Sequence, residues 1–481
     1  NTSWSVNIKE RLDFSCAIFD AAGDLVANAP HVPVHLGSMS DSIKTVMRLN
    51  PDAGEGDAFM LNSPYNGGTH LPDVTVVTPV FVDGKAAFWM GSRGHHADIG
   101  GRTPGSGPPD SQHIEEEGVL IDNVQLVKAG VLQEDSATAT LKSGKYPARN
   151  VAQNMADLKA QIAANETGRQ ALLKVCAHYG ADVVTAYMGH VQDNAADCVA
   201  AVVATLDDGA FTYAMDEGQQ IKVAVRVDRE NRTATVDFTG TSPQHSGNYN
   251  APQAVCRAVV LYVFRTLVGA SIPLNEGCLK PLRIIAPEGT MLNPRYPAAV
   301  IAGNTEVSQA ACNALYGALG VIAGSQATMN NFVWGNAQFQ NYETIAGGTG
   351  AGPDFDGCDA VQSHMTNTRM TDPEILEKRF PVRLDRFEVR EGSGGAGRQS
   401  GGNGARRVMT FLEPVTVTTL CSHRVVPPFG VAGGGAGAVG RNWAVLPDGT
   451  RRDLQGNDEI DLPAGGTFFL ETPGGGGWGK P

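Results

Sequence analysis

The chain has 481 residues, with 37 Lys and Arg against 50 Asp and Glu and a formal charge of −13. With no dense basic block, it lacks the clustered positive charge that nucleic-acid phosphates demand, and nucleic acid is excluded as a partner. No apolar run approaches the ~20 residues of a spanning helix, so no membrane partner is expected, and the length calls for several subdomains rather than one core.

Glycine is abundant, at 58 residues, without a collagen period. Such a chain is expected to be rich in tight turns and loop-built sites. The cysteines form no CxxC pair and mostly sit in apolar runs, such as Cys16 within Phe14 to Phe19. They read as reduced, buried thiols of a cytoplasmic protein.

The chain opens abruptly, NTSWSVNIKE running straight into strand-like Phe14 to Phe19, and this implies further chain before Asn1. Pro30 and Pro33 stiffen the next segment, where His31 and His35 alternate with apolar residues at period two. Ser40 suits the N-cap of a short helix through about Asn50. Asp57 to Asn62 reads as a strand, and the polar loop SPYNGGTHLPD carries His70 and Asp73. Val74 to Phe81 is rich in β-branched residues, Asp83-Gly84 is a hairpin signal, and Lys85 to Met90 is the returning strand.

That strand runs into Ser92 to Gly101, SRGHHADIGG. His95-x-x-Asp98 supplies an imidazole and a carboxylate, a pairing that suits Zn²⁺, Mn²⁺ or Fe²⁺. Antiparallel pairing places Asp73 and the His95/Asp98 loop at one sheet edge. The candidate site is therefore His70, Asp73, His95, His96 and Asp98, and the plain alternative is a polar loop whose groups bond one another. Further along, Asp110 and His113 are candidates for a further ligand or base. Glu117, beside Gly118 and apolar Val119 to Ile121, is expected to point inward.

From about Asn150 to Leu206 the apolar period becomes that of amphipathic helices, with Gly180 and Gly189 as stops or breaks and His178 and His190 as surface or packing residues. Ile221 to Phe238 reads as two strands around Glu230-Asn231. A loop rich in amides and hydroxyls follows, with Asn248 and Asn250, and then a helix from Ala254 to Val268. Those loop groups can hold an amide or a carboxylate, or can cap turns. Asn275-Glu276-Gly277-Cys278 and Gly303-Asn304-Thr305 repeat the theme.

The glycine stretch from Gly347 to Gly352 lacks the lysine of a phosphate loop and argues against nucleotide binding by this chain. A pocket lined by Glu343, His364, Asn367 and Arg369 is the better reading. Arg369 can fork onto a substrate carboxylate or pair with Asp372 or Glu374. From Phe387 onward, short strands alternate with glycine turns, and Trp478 behind the terminal glycine run argues for a docked end rather than a floppy tail. The expected fold class is α+β, with mixed and antiparallel sheets in several subdomains. These are an α+β region over 1–149, a helical segment over 150–206, an α/β region over 207–385 and a β-rich region over 386–481.

The segments NIKERLDFSCAIFD, HVPVHLGSM, GGTHLPDVTVVTPVF, SRGHHADIGG, YETIAGGTGAGP, HMTNTRMTDPEILE and ETPGGGGWG resemble the hydantoinase B family. Within it they most resemble the C-terminal half of the ATP-dependent 5-oxoprolinases. The resemblance implies a hydrolase of cyclic amides that acts on a substrate activated by an ATP-binding hydantoinase A module. That module is a fused domain or a separate subunit of an oligomer. It also implies a divalent metal held by a His-x-x-Asp element, here His95 and Asp98. Asp73 joins from the hairpin geometry, and His113 and Asp110 are the nearby candidates for a further ligand. His96, Glu117 and Glu343 are the expected proton-transfer groups, and Asn248, Asn250, His364, Asn367 and Arg369 the expected substrate contacts. The same machinery acting on a hydantoin, or a module without chemistry of its own, are the rival expectations.

Overall fold

A computed structural model describes residues 3–29 and 31–481. Pro30, expected above to stiffen its segment, lies with Asn1 and Thr2 outside the described residues. Helix α1 (Val6–Lys9) leads into strands β1 (Phe14–Phe19) and β2 (Leu25–Asn28), and then into helix α2 (Pro33–Leu49). The expected start of this helix at Ser40 is too late. Pro33 stands in its first turn, where a fixed φ favours helix and no N–H is needed, so His35 and Ser40 lie inside it.

Strands β3 (Ala58–Leu61), β4 (Asp73–Val82), β5 (Lys85–His95), β6 (Val124–Lys128) and β7 (Val131–Leu132) complete a seven-stranded sheet in the order β2-β1-β5-β4-β3-β6-β7. The β4–β5 turn uses Asp83 and Gly84, both with positive φ, as a tight hairpin requires. Its register sets Asp73 directly opposite His95. Helix α3 (Glu134–Leu141) precedes a long helical hairpin, α4 (Val151–Tyr179) and α5 (Ala181–Val203), broken at Gly180. Gly189 lies inside α5 and breaks nothing. Helix α4 packs on β4 and β5 and covers one face of the sheet.

Strands β8 (Gly209–Ala214), β9 (Gln220–Asp228), β10 (Thr233–Asp237) and β11 (Leu282–Ile285) form a second sheet, antiparallel except where β10 meets β11. Helices α6 (Gln253–Thr266) and α7 (Ser308–Leu319) belong to the largest core cluster, with Val223, Val225, Val259, Phe264 and Leu315. α2 packs against α6 at Gly37, where a Cβ would lie 2.6 Å from the Cα of Ala258. That close approach seats His35 beside the first sheet. A π-helical turn, Gly303–Val307, opens α7.

The remaining strands are β12 (Asn331–Gly335), β13 (Gln340–Thr344), β14 (Val382–Arg390, after helix α8, Pro373–Arg379), β15 (Gly404–Phe411), β16 (Val415–Leu420), β17 (Arg441–Val445), β18 (Arg451–Leu454), β19 (Asp458–Leu462) and β20 (Thr467–Glu471). They make two antiparallel sheets, β13-β12-β16-β19 and β14-β15-β20-β17-β18, around Phe332, Trp334, Phe411 and Phe468. The fold class is α+β, as expected, with mostly antiparallel sheets. Beside these sheets, the glycine-rich segments 347–352, 394–402, 430–437 and 473–479 run together. They are joined by backbone bonds such as Gly395 N to Gly475 O, Gly475 N to Gly402 O and Ala351 N to Gly476 O. Side chains have no room here: a Cβ on Gly475 would lie 1.8 Å from the Thr349 carbonyl oxygen. Trp478 bridges to Gln399 and Val431, so the end of the chain is docked. Among the described residues no helix is long and apolar enough to cross a membrane.

Candidate metal and active site

The first sheet, the start of α2 and the π-turn before α7 converge on one buried carboxylate, Asp73. It begins β4, directly opposite His95 at the end of β5. His70 precedes it by one turn of the connecting loop. One Asp73 oxygen, Oδ2, lies 3.1 Å from His70 Nε2 and accepts from Thr69 Oγ1 at 2.7 Å and Asn304 Nδ2 at 3.4 Å. The other, Oδ1, lies 3.2 Å from His35 Nε2 and 3.3 Å from His95 Nδ1. Asp13, just before β1, approaches from the next strand, 4.0 Å from His95 Nδ1 and 3.8 Å from His35 Nε2.

All five side chains are buried. Burial alone would raise the Asp73 carboxyl, but His70 and His35 beside it hold it well below the usual carboxylate range. Burial dominates at His95 and lowers its pKa, against the opposing pull of Asp73 and Asp13. The imidazole is thus kept in the neutral form that can bind a cation or accept a proton.

His70, Asp73 and His95 each offer a ligand atom, and these atoms lie within 4.8 Å of one another. Both ring nitrogens of His70 and Oδ1 of Asp73 are buried without a well-formed hydrogen bond. Buried polar atoms are normally paired, and a set of two imidazoles and a carboxylate left open together fits a divalent metal ion. Asp13 is placed to add a second carboxylate. His35 stands outside the group, its Nε2 3.2 Å from Asp73 Oδ1 and its other nitrogen 3.3 Å from Ser15 Oγ. Beside these residues lies a small cavity lined by His70, His95, Thr305, Asn331, Val333 and Tyr342. The Tyr342 ring stacks on His95 with centroids 4.9 Å apart, and the Arg11 guanidinium covers the same ring at 4.7 Å.

Several expected site residues lie elsewhere. Asp98 does not join His95. Its Oδ1 accepts from the backbone of Gly100 and Arg149, and its Oδ2 from Gly105 N and Arg149 Nη1, so it pins the loop. His96 follows His95 at strand period and faces the other way, into α4, bonded to Asn154 and Gln161. His113 is exposed and lies on a bridge to Ala298, and Asp110 is exposed and paired with Arg102. Glu343 is a buried bidentate partner of Arg407, with both its oxygens occupied. Asn248 and Asn250 peg their loops to Pro108, Ser111, Gly247 and Ala299. His364 bonds Asn313 between Tyr262 and Tyr316, and burial pushes it down to about 3. Asn367 and Arg369 are exposed; Asn367 reaches the His31 carbonyl, and Asp372 caps α8.

Glu117 does point inward. It accepts from Val300 N, Ile301 N and Ser111 Oγ, and burial raises it to about 7 against those bonds. Asp13, His35, Asn304, Glu306, Asn331 and Tyr342 were not anticipated at the site. His70-x-x-Asp73 has the same spacing as His95-x-x-Asp98, and that repetition was the available signal.

This arrangement is a buried histidine–carboxylate centre where the central strand β4 begins and its neighbour β5 ends. The hydantoinase B/oxoprolinase family model matches residues 1–481, and the chain belongs to that family. It is 45% identical over 489 residues to a 5-oxoprolinase of Dictyostelium discoideum, covering 100% of this chain and 38% of that relative. It is 45% identical over 504 residues to 5-oxoprolinase 1 of Arabidopsis thaliana, covering 100% of this chain and 40% of that protein. The chain therefore spans about two-fifths of the length of these curated relatives. Among solved structures it resembles the ATP-dependent caprolactamase of Pseudomonas jessenii, with a TM-score of 0.88 and 26% identity, covering 100% of this chain and 87% of that one.

Proposed function

We propose that this chain is the hydrolytic module of an ATP-dependent cyclic-amide hydrolase, and that its substrate is 5-oxo-L-proline. The overall reaction is 5-oxo-L-proline, ATP and water to L-glutamate, ADP and phosphate. The observation that carries this reading is the open group of His70, Asp73 and His95 beside a small, mostly apolar cavity. The names of the similar relatives, 5-oxoprolinases of greater length, support the substrate and leave room for an ATP-using partner module.

A lactam resists water because its carbonyl carbon is stabilised by nitrogen. Phosphorylation of the carbonyl oxygen, by the partner, makes that carbon electrophilic and supplies a leaving group. His70, Asp73 and His95, with Asp13 beside them, would hold a divalent ion, and such an ion supplies Lewis acidity and a water of lowered pKa. The residues themselves do the rest. Asp73 holds the two imidazoles in place and keeps the centre anionic. With His95 committed to the ion, Asp13, 4.0 Å from its Nδ1, is the carboxylate placed to accept a proton as water adds to the ring carbon. Thr305, Val333 and Tyr342 narrow the cavity and limit entry of bulk water. One water adds to the ring carbon and the C–N bond opens, its nitrogen taking a proton, to leave an acyl phosphate; a second water then releases phosphate and gives the amino acid.

The test is coupled turnover of the enzyme containing this chain, with its ATP-using partner. His70→Ala is expected to abolish ring opening while the fold, followed by circular dichroism, is kept. Normal turnover in a folded His70→Ala variant would overturn the reading. The caprolactamase likeness favours a second reading, the same chemistry on another lactam, and side-by-side assays of ring substrates separate the two.

A further inference from the structure

The cavity beside His70 and His95 has a volume of about 10 Å³. That is room for about one water, whereas ligand pockets run to roughly 300 Å³ or more. A wall must move before a ring substrate can reach the centre. The strand walls are fixed: His95 ends β5, Asn331 and Val333 lie in β12 and Tyr342 in β13, each paired in a backbone ladder. Thr305 sits in the buried π-turn that opens α7, and the Pro72 carbonyl accepts from His96 N at 2.9 Å. The remaining wall is Gly105 and Gly107, from the loop of residues 103–109.

This loop is held differently. Among the described residues its backbone makes one backbone–backbone hydrogen bond, Ser106 N to Thr103 O, and that bond is internal. Two side chains from elsewhere tie it down. Asp98 Oδ2 accepts from Gly105 N at 3.0 Å, and Asn248 Nδ2 donates to the Pro108 carbonyl at 3.0 Å. Ser106 is kept at φ +57°, a strained left-handed conformation for a residue with a side chain, and the Thr103 hydroxyl is buried without a partner. Pro104, Pro108 and Pro109 stiffen the segment. It meets β12 through glycine, with a Cβ on Gly105 only 2.6 Å from Val333 Cγ1. Beside it, Arg102, Thr103 and Pro109 border a second cavity of about 340 Å³ that faces residues 457–459. The loop is lightly tied, and there is space for it to move into.

We propose that residues 103–109 are the gate of the site, latched by Asp98 and Asn248. Their outward swing admits the activated cyclic amide, and their return excludes water. Asp98 and Asn248 act on the site through the loop, as positioning residues.

The inference rests on the reading of this cavity as the place where the cyclic amide reacts, and the test keeps the two apart. A Cβ on Gly107 would lie 3.8 Å from the Val333 Cβ, within the span of a disulfide. Gly107→Cys with Val333→Cys is oxidised in the complete enzyme, with its ATP-using partner, and the cross-link is read by mass. The cross-linked form is expected to keep its circular dichroism and to turn over 5-oxo-L-proline at least about tenfold more slowly than the same protein after reduction. The wild type, whose cysteines are free, is the control for both treatments. Equal turnover by the cross-linked and reduced forms would overturn the gate and leave the cyclic-amide reading standing. No turnover of cyclic amides by the wild type would overturn that reading, and the inference with it. Val333→Cys alone places a buried thiol behind the loop. Its alkylation by iodoacetamide in the folded protein is expected to be several-fold faster when Asp98→Asn loosens the latch. Equal rates with and without Asp98→Asn would also overturn the gate.

Discussion

Two regions of this protein solve the problem of buried polar groups in opposite ways. In the glycine-rich region backbone pairs with backbone from one segment to the next, and at glycines such as Gly475 there is no space for a side chain. Around Asp73 the reverse holds. Charged and titratable side chains are gathered into the interior, and several of their atoms are left without a partner. A closed network stabilises; an open one costs stability and persists where something binds. Substitutions should therefore act on activity in one region and on folding in the other.

The largest separation is expected at Asp73. Asp73→Asn should reduce ring opening at least about a hundredfold, as loss of a group in direct contact with the chemistry does, read by coupled turnover of the folded fraction. A large stability loss with modest loss of turnover would break the contrast. In the other region, Gly475→Ala places a methyl group 1.8 Å from the Thr349 carbonyl oxygen. It should cost about 3 kcal/mol or more and reduce soluble yield, read by denaturant unfolding. Arg407→Ala is expected to cost roughly 3–5 kcal/mol, because it strands the buried Glu343 carboxylate. Replacing both by apolar residues should recover much of that. This pair lies on the structural side of the comparison.

The smallest effect is a pH dependence. Burial raises the Glu306 carboxyl from 4.5 to about 7. A carboxyl whose folded pKa is raised contributes stability in its protonated form. That contribution is complete below about 4.5 and is lost as pH rises toward about 7. Glu306→Gln should therefore flatten the fall in stability across this window. Asp73 acts with the opposite sign: its lowered pKa gives stability above the usual carboxylate range, lost as pH falls. A double series on Glu306 and Asp73 would show the two slopes separately.

Much of the fold was legible because local signals agreed with it. Asp83-Gly84 specified the hairpin, alternation specified β9 and β10, and Gly180 marked the break between α4 and α5. The hairpin then placed Asp73 opposite His95, the most useful inference about the site. What was not legible depended on residues distant in sequence. Asp98 looked like a ligand because of its spacing from His95, and only the fold brings Arg149 to occupy it. Glu343 looked like a base until β15 supplied Arg407. Asp13 and Tyr342 reach the centre from opposite ends of the chain, with no local pattern to announce them. The glycine runs gave no period to read, since their partners are other glycine runs far along the chain.

The most direct test is metal content. The purified protein, His70→Ala and Asp98→Asn are compared by elemental analysis after equilibration with Zn²⁺, Mn²⁺ and Fe²⁺ in turn. The account expects near-stoichiometric metal in the wild type, its loss in His70→Ala and its retention in Asp98→Asn. Loss in Asp98→Asn with retention in folded His70→Ala would move the centre to the other His-x-x-Asp element and contradict the account.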